Sequence, residues 1–108
     1  MTVREMADAL NLEPIAVPDD TRIVGGGYAG DLLSWVMGRA QGGDAWVTIM
    51  SNPNTVAVAS LADVSCIVLA EGVRPDQGVA ETAMSRDVNI LGSEEPSFTL
   101  CAKIASLL

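Results

Sequence analysis

Apolar residues recur along the chain with two different periods. Val3, Met6 and Leu10 are three or four residues apart, as on one face of a helix, whereas residues 45–50 form a nearly continuous apolar run without charge. Short runs of the second kind, bounded by Gly, Pro or Asn, are typical of buried strands. The pattern predicts helices at residues 2–10, 31–38 or 31–42, 53–63, 76–86 and 94–108, and strands at 13–17, 23–24, 45–50, 66–69 and 88–91.

Capping residues and composition support this reading. Thr2 and Glu5 match a capping box, Asp31 is placed to cap the second helix, and Asn52 with Pro53 is typical of the start of the third. Strands that alternate with helices over short loops predict a three-layer α/β/α sandwich with a mostly parallel central sheet. With 108 residues, 49% of them hydrophobic and 19% charged, the chain is expected to form one domain, residues 1–108.

The predicted helix at 53–63 is apolar on all sides, since Asp63 is its only charged residue. A helix of this kind needs cover on more than one side. The cover comes either from the rest of the chain or from a second copy of it. The second interpretation predicts a homodimer with Val56, Ala59 and Ser60 in the interface.

Two segments are candidates for ligand binding. Residues 25–30 match Gly-x-Gly-x-x-Gly before a predicted helix, which is typical either of a dinucleotide-binding loop or of a structural glycine turn. Polar residues at 48–54 follow the predicted central strand, where open α/β sheets tend to bind ligands, although Asn52 and Asn54 also suit a helix cap and a turn. Arg22 and Asp31 are candidates for the same rim. The candidate ligand-binding residues are thus Arg22, Gly25, Gly26, Asp31, Thr48, Ser51, Asn52 and Asn54.

Residues for common catalytic chemistry are missing from the sequence. There is no histidine, and Lys103, the one lysine, lies in the last predicted helix rather than in a phosphate-binding loop. The adjacent acids Asp19-Asp20 and Glu94-Glu95 suit a turn and a helix start. We therefore predict no catalytic residues and no enzymatic activity.

Charge and cysteine content limit the partners. The net charge is −8 and the five arginines are scattered, so neither nucleic acid nor an anionic membrane is an expected partner. Cys66 and Cys101 are too few and too far apart for a zinc site, so both are expected in the core and no metal or cofactor is predicted. The charged N-terminus is unlike a secretory signal, which favours a cytoplasmic location.

Several segments resemble the DRTGG domain family. The similarity runs through residues 20–26, 28–34, 43–49 and 51–54 and spans nearly the whole chain. In place of the eponymous motif, Arg22 follows Thr21, and two residues separate Arg22 from the glycine pair. Members of this family occur alone or fused to CBS domains, and their fold is similar to the N-terminal domains of HPr kinase/phosphorylase and of the Mur ligases.

The residues and the resemblance imply the same kind of function. We expect a non-catalytic regulatory module that senses a ligand or binds a protein, and that forms a homodimer. The alternative is a nucleotide-binding accessory domain, because the related domain of the Mur ligases helps to hold a uridine nucleotide. A small metabolite or a nucleotide is therefore the expected ligand.

Overall fold

The computed structural model describes residues 1–108 and contains five helices and five strands. The five predicted helices and four of the five predicted strands are present, with boundaries shifted by a few residues, whereas residues 23–24 form no strand. The elements are α1 (Val3–Leu10), β1 (Glu13–Ala16), β2 (Gly26–Ala29), α2 (Leu33–Arg39), β3 (Asp44–Thr48), α3 (Pro53–Ala62), β4 (Cys66–Leu69), α4 (Val79–Ser85), β5 (Ile90–Gly92) and α5 (Ser97–Leu107).

The strands form one sheet in the order β1-β5-β4-β3-β2. The four strands from β2 to β5 are parallel, and β1 runs antiparallel to β5 at one edge. Trp46 of β3 lies opposite Tyr28 on one side and Ile67 on the other. The predicted mostly parallel sheet is confirmed.

Helices cover both faces of the sheet, because alternate residues of each buried strand point to opposite sides. Trp46 and Ile67 belong to a core shared with α2, α3 and α4. Val47 and Val68 belong to a second core, shared with α1 and α5. This arrangement confirms the predicted three-layer α/β/α sandwich. No helix of the chain combines the length and the apolar character needed to cross a membrane.

The first helix begins and ends as the sequence predicts. The Glu5 carboxylate accepts from the backbone N–H of Thr2 at 2.9 Å, and the Thr2 hydroxyl accepts from the N–H of Glu5 at 3.1 Å. The hydrogen bond from the Thr2 backbone is the main cause that lowers the pKa of Glu5. Asn11 then ends the helix in the left-handed conformation, with φ 54°.

The second strand and the second helix differ from their predictions. Residues 23–24 do not form the strand; β2 is built from the glycine run itself, and Ile23 makes only an isolated bridge to Thr2. Parallel pairing with β3 needs only backbone groups, so low strand propensity does not prevent it. Asp31 does not cap α2, whose N-cap is Leu32. The carboxylate of Asp31 instead accepts hydrogen bonds from Thr48 and Ile49 at the end of β3.

The apolar helix α3 is covered by its own chain along the face of Val56 and Ala59, whereas Leu61 is 73% exposed. Val56 and Ala59 are 0% and 1% exposed, and α2 and α4 flank the helix on either side. Of the three residues predicted for a dimer interface, Val56 and Ala59 are thus core residues, out of reach of a second copy, and Ser60 alone is exposed.

Candidate functional site

Thr48 and Asp31 lie together at the carboxyl end of β3, where the sequence predicted a polar rim. Thr48, which is buried, donates its hydroxyl to Asp31 Oδ1 at 2.8 Å, and the same oxygen accepts from the N–H of Ile49 at 3.0 Å. The Thr48 oxygen also accepts from the N–H of Met50 at 3.1 Å. These groups hold the turn after β3, because each one satisfies a neighbouring group of the protein.

The three other rim residues also serve the local structure. Asn52 Oδ1 accepts from the backbone N–H groups of Asn54 and Thr55 at 2.9 and 3.3 Å, so Asn52 is the N-cap of α3. Ser51 donates its hydroxyl to Asp76 Oδ1 at 3.1 Å. The side chain of Asn54 is exposed. The rim is present as a group, while its binding role stays a prediction.

Arg22, Gly25 and Gly26 lie at the opposite end of the sheet from this rim. Gly26 is level with Asp44 at the start of β3, and the N–H of Gly25 bonds the carbonyl of Gly43. The length of β3 separates this end from Thr48 by about 13 Å. The expectation that Arg22 lines the same rim as Thr48 is therefore wrong, and Gly25 and Gly26 also lie away from that rim.

Arg22 ties this amino-terminal end to the last turn of α3. Its guanidinium donates to the carbonyls of Val64 and Asp63 at 3.0 and 3.1 Å, and to the Asp63 carboxylate at 3.0 Å. A cation near the end of a helix also opposes the negative end of the helix dipole. The role of Arg22 in this chain is accordingly structural.

Asn89 binds a second set of backbone groups at the same end. Its Oδ1 accepts from the N–H of Asp19 at 3.0 Å, and its Nδ2 donates to the carbonyls of Asp19 and Ser65 at 2.7 and 2.9 Å. Thr21 donates from its hydroxyl and its backbone to Asp19 Oδ1, which lowers the pKa of Asp19. The segment that resembles the DRTGG motif is thus fixed by internal hydrogen bonds.

A different part of the carboxyl edge, between β4 and β5, is open. The chain leaves β4 towards α4 on one face of the sheet and leaves β5 towards α5 on the other. Two adjacent parallel strands whose connections diverge in this way form a topological switch point, the usual binding place of open α/β sheets. We name the space between the two loops the switch-point cleft.

The switch-point cleft has a volume of about 410 Å³ and a mostly polar lining. One wall is the loop after β4 and the other is the loop after β5, with α1, β1 and α5 closing the ends. The lining residues are Leu10, Asn11, Glu13, Gly72, Val73, Arg74, Gly92, Ser93, Glu94, Glu95 and Lys103.

A tight turn at Glu71 and Gly72 shapes the cleft. Both residues are left-handed, with φ 61° and 71°. Their N–H groups bond the carbonyls of Glu95 and Ser93 at 2.9 Å each, which joins the two walls. A Cβ on Gly72 would lie 2.4 Å from Glu94 Oε2, so the bare backbone allows this carboxylate to lie close. Glycine is required here for its conformation, and it also leaves room for Glu94.

Charges of both signs line the cleft. Arg74 forms an ion pair with Glu13, and Lys103 forms one with Glu95. Glu94 is exposed and makes no ion pair. The cleft therefore offers two cations with exchangeable partners and one free carboxylate.

The cysteines are not activated for chemistry. Burial raises the pKa of the Cys66 thiol to about 12, and partial burial raises the pKa of Cys101. Thiols of this kind are protonated at neutral pH, whereas the thiolate is the reactive form. No group of three or more His, Cys, Asp or Glu side chains is arranged to hold a metal ion.

The sequence pattern did not indicate the switch-point cleft. Gly72 and Ser93 both follow predicted strands, which is the signal that the polar rim after β3 also carries. The rim after β3 and the switch-point cleft differ in the face of the sheet that the next helix covers. The periodicity of a helix does not reveal which face that is.

Comparison with known proteins shows the fold. Neither a protein-family model nor a curated protein sequence matches the chain. Its structure is similar to the crystal structure of the CBS and DRTGG domains of the regulatory region of the Clostridium perfringens pyrophosphatase, in complex with its activator diadenosine tetraphosphate. The TM-score is 0.76 at 16% sequence identity, over 99% of this chain and 47% of that chain.

The chain thus spans about half the length of that neighbour, and at this identity the likeness concerns the fold alone. The resemblance to HPr kinase and the Mur ligases is untested and stays a prediction. The shared architecture supports a DRTGG-like α/β fold for this chain.

Proposed function

We propose that this chain is a non-catalytic regulatory module that senses a small anionic or zwitterionic metabolite in the switch-point cleft. The observation that carries the proposal is the open polar cleft of about 410 Å³ at the switch point of the sheet. Small-molecule sites usually measure roughly 300–1,000 Å³. The likeness to a regulatory region, rather than to a catalytic one, supports the same function.

The ligand class follows from the ion pairs of the cleft. The side chains of Arg74 and Glu13 are 63% and 54% exposed, and those of Lys103 and Glu95 are 49% and 34% exposed. Exposed ion pairs contribute only about 0–1 kcal/mol. A phosphate or carboxylate of a ligand therefore replaces the protein carboxylates at small cost, and Glu94 accepts from an ammonium or hydroxyl group of the same ligand.

Native mass spectrometry of the purified protein tests this proposal first, because a bound metabolite adds its own mass to the spectrum. A thermal-shift panel of inorganic phosphate, glutamate and phosphoserine at millimolar concentration follows. Saturation at about 100 times the dissociation constant adds about 2.7 kcal/mol to the unfolding free energy, which corresponds to a shift of several degrees.

Two variants separate the cleft from the rim after β3. Lys103→Gln is expected to abolish the shift, whereas Asn54→Ala, at an exposed position of the rim, leaves it unchanged. A shift lost in Asn54→Ala and kept in Lys103→Gln transfers the site to the rim. No shift with any probe, together with a spectrum free of added mass, contradicts the sensing function.

A nucleotide is the second candidate ligand. The structural neighbour is in complex with diadenosine tetraphosphate, which is a nucleotide. The resemblance to the accessory domains of the Mur ligases and HPr kinase also favours a nucleotide. In the cleft, Arg74 and Lys103 face the phosphates and Glu94 accepts from a ribose hydroxyl, a pairing known from dinucleotide sites. Thermal shifts with AMP, ATP and diadenosine tetraphosphate that exceed the shift with phosphate favour this candidate.

The proposal includes a homodimer, the form in which we expect the module to act. Val56 and Ala59 are excluded from its interface by their burial, so another surface has to provide the contact. Native mass spectrometry at micromolar concentration reports the number of subunits in the same experiment as the added mass.

A further inference from the structure

One flank of α5, next to β2, is apolar and exposed. Phe98, Ala102, Ala105 and Leu108 are spaced by three or four residues and lie along one stripe of the helix. Phe98 is 87% exposed, the largest exposed fraction among the large hydrophobic residues of the chain, and Leu108 is 51% exposed. Lys103, the one charged residue of α5, lies in the switch-point cleft instead. We name this stripe the α5 flank.

An apolar crevice of about 230 Å³ lies beside the α5 flank, between α5 and the edge strand β2. It exists because Gly27, Ala29 and Ala105 carry little or no side chain where the strand meets the helix. Its other lining residues are Tyr28, Ala45, Val47, Cys101, Ile104 and Leu108. The crevice is large enough to accept one aromatic side chain.

Phe98 and the crevice have the geometry of a knob and a hole on one surface. Ala105, in the crevice, follows Phe98 by seven residues, which is about 10 Å along the helix. If two copies of α5 pack antiparallel about a twofold axis near Ala102, each Phe98 reaches the crevice of the other copy. A twofold interface requires such a self-complementary surface. The small residues Ala102 and Ala105 let the two helices approach closely.

Charge favours this surface over the rest of the molecule for a contact between two copies. Each copy carries a net charge of −8, so two copies repel each other across most of their surface. The α5 flank and β2 contain no charged residue. Two Phe98 side chains supply about 300 Å² of the roughly 1,000 Å² that a specific interface needs. The other residues of the α5 flank, the crevice and β2 have to supply the remainder.

We propose that the chain dimerises through the α5 flank, with Phe98 of each copy inserted into the crevice between α5 and β2 of the other. This inference rests on the homodimer of the proposed function and assigns its surface. Because β2 is a sheet edge that hydrogen-bonds only β3, the same contact also covers an open strand edge.

Sedimentation velocity over a range of protein concentrations tests the proposed surface with Phe98→Lys and a matched control. Phe98→Lys is expected to raise the dissociation constant of the dimer by about 100-fold or more, because it removes the knob and places a cation against an apolar crevice. Leu61→Lys, at a 73% exposed position of α3, leaves the constant unchanged. Urea unfolding at protein concentrations below the dimer range checks that both variants keep the stability of the parent monomer.

Alkylation of Cys101 by iodoacetamide provides a second readout, since Cys101 lines the crevice. The alkylation rate of the parent falls as the protein concentration rises through the dimer range, whereas the rate of Phe98→Lys does not. A dimer that persists in Phe98→Lys and dissociates in Leu61→Lys overturns the α5 surface but keeps the homodimer. A parent that is monomeric at 100 µM, about the upper range of dissociation constants for weak dimers, overturns both the α5 surface and the homodimer. The binding assays on the cleft test the sensing function separately.

Discussion

The amino-terminal end of the central sheet and the switch-point cleft use their polar residues in opposite ways. At the amino-terminal end, Asn89, Arg22 and Asp19 bond neighbouring backbone and side-chain groups of the chain. At the carboxyl end, the switch-point cleft keeps Arg74 and Lys103 in exposed pairs that water already weakens. The polar groups of the amino-terminal end therefore hold the fold together, whereas those of the cleft are the groups to which we propose that a ligand binds.

This difference shows that a polar side chain is available to a ligand only where its hydrogen-bonding groups are not already paired within the protein. A buried hydrogen-bonding group without a partner costs about 1–3 kcal/mol, so a saturated network resists rearrangement. Thr55 is the exception, because its hydroxyl is the single buried side-chain group without a hydrogen-bond partner. The contrast between the ends can be tested by substitutions that affect one end and spare the other.

The largest effect is expected for Asn89→Ala at the amino-terminal end. The substitution removes three hydrogen bonds and leaves the buried carbonyl of Ser65 and the part-buried backbone groups of Asp19 unpaired, so the free energy of unfolding falls by about 3 kcal/mol. Urea denaturation measures the loss. Asn54→Ala, the same change at an exposed position, is expected to cost less than about 0.5 kcal/mol. Equal losses in both variants would contradict the structural role of this network.

Arg22→Ala is expected to lower the free energy of unfolding by about 2 kcal/mol. The change deprives the carbonyls of Val64 and Asp63 of a charged donor at the end of α3. The measurement is again urea denaturation, with Arg86→Ala as the control because Arg86 is exposed and its side chain makes no ion pair. If Arg22 bound the ligand instead, thermal shifts would disappear in Arg22→Ala while the stability remained that of the parent.

Gly72→Ala tests the switch-point cleft at the carboxyl end. A side chain at φ 71° costs about 1 kcal/mol, and its Cβ displaces the Glu94 carboxylate. We expect this small loss in urea together with a clear loss of ligand binding in the thermal-shift panel. Gly38→Ala, inside α2 with open space around it, is expected to be neutral or slightly stabilising. Unchanged binding in Gly72→Ala would remove Glu94 and this turn from the site.

The smallest effect concerns the pH dependence of stability. Hydrogen bonds from Thr21 lower the pKa of Asp19 below its ordinary value of 3.8, so the ionised form stabilises the fold. That contribution is complete above pH 5 and is lost as the pH falls through the folded pKa. The stability difference between the parent and Asp19→Asn in urea should therefore shrink as the pH falls from 5 towards 3. A difference that stays constant over this range would show that the charge of Asp19 plays no part.

Much of the fold could be predicted because the relevant forces act over a few residues. The capping box at Thr2 and Glu5 and the cap at Asn52 depend on side chains three residues or fewer from their targets. The alternation of buried runs with helical periods likewise indicated the sandwich. The glycine strand β2 was missed because its partner β3 decides its conformation, against the local preference of glycine.

The candidate site could be predicted only in part, for the same reason. Thr48 and Asp31 were rightly expected to lie together. Thr48 ends β3, and Asp31 follows the parallel neighbouring strand β2. Arg22 was placed at the wrong end of the sheet, because its bonds to Val64 and Asp63 join residues about forty positions apart. No local pattern reports such a contact.

By itself, then, the sequence determined the class of the fold, the order of its elements and the absence of histidine-based chemistry. These features follow from short-range periodicity, capping and composition. Only the tertiary structure decided which face of the sheet each helix covers, and this decides where the switch-point cleft opens. It also decided that Val56 is buried and Phe98 exposed, because burial depends on what packs against a helix from elsewhere in the chain rather than on the helix itself.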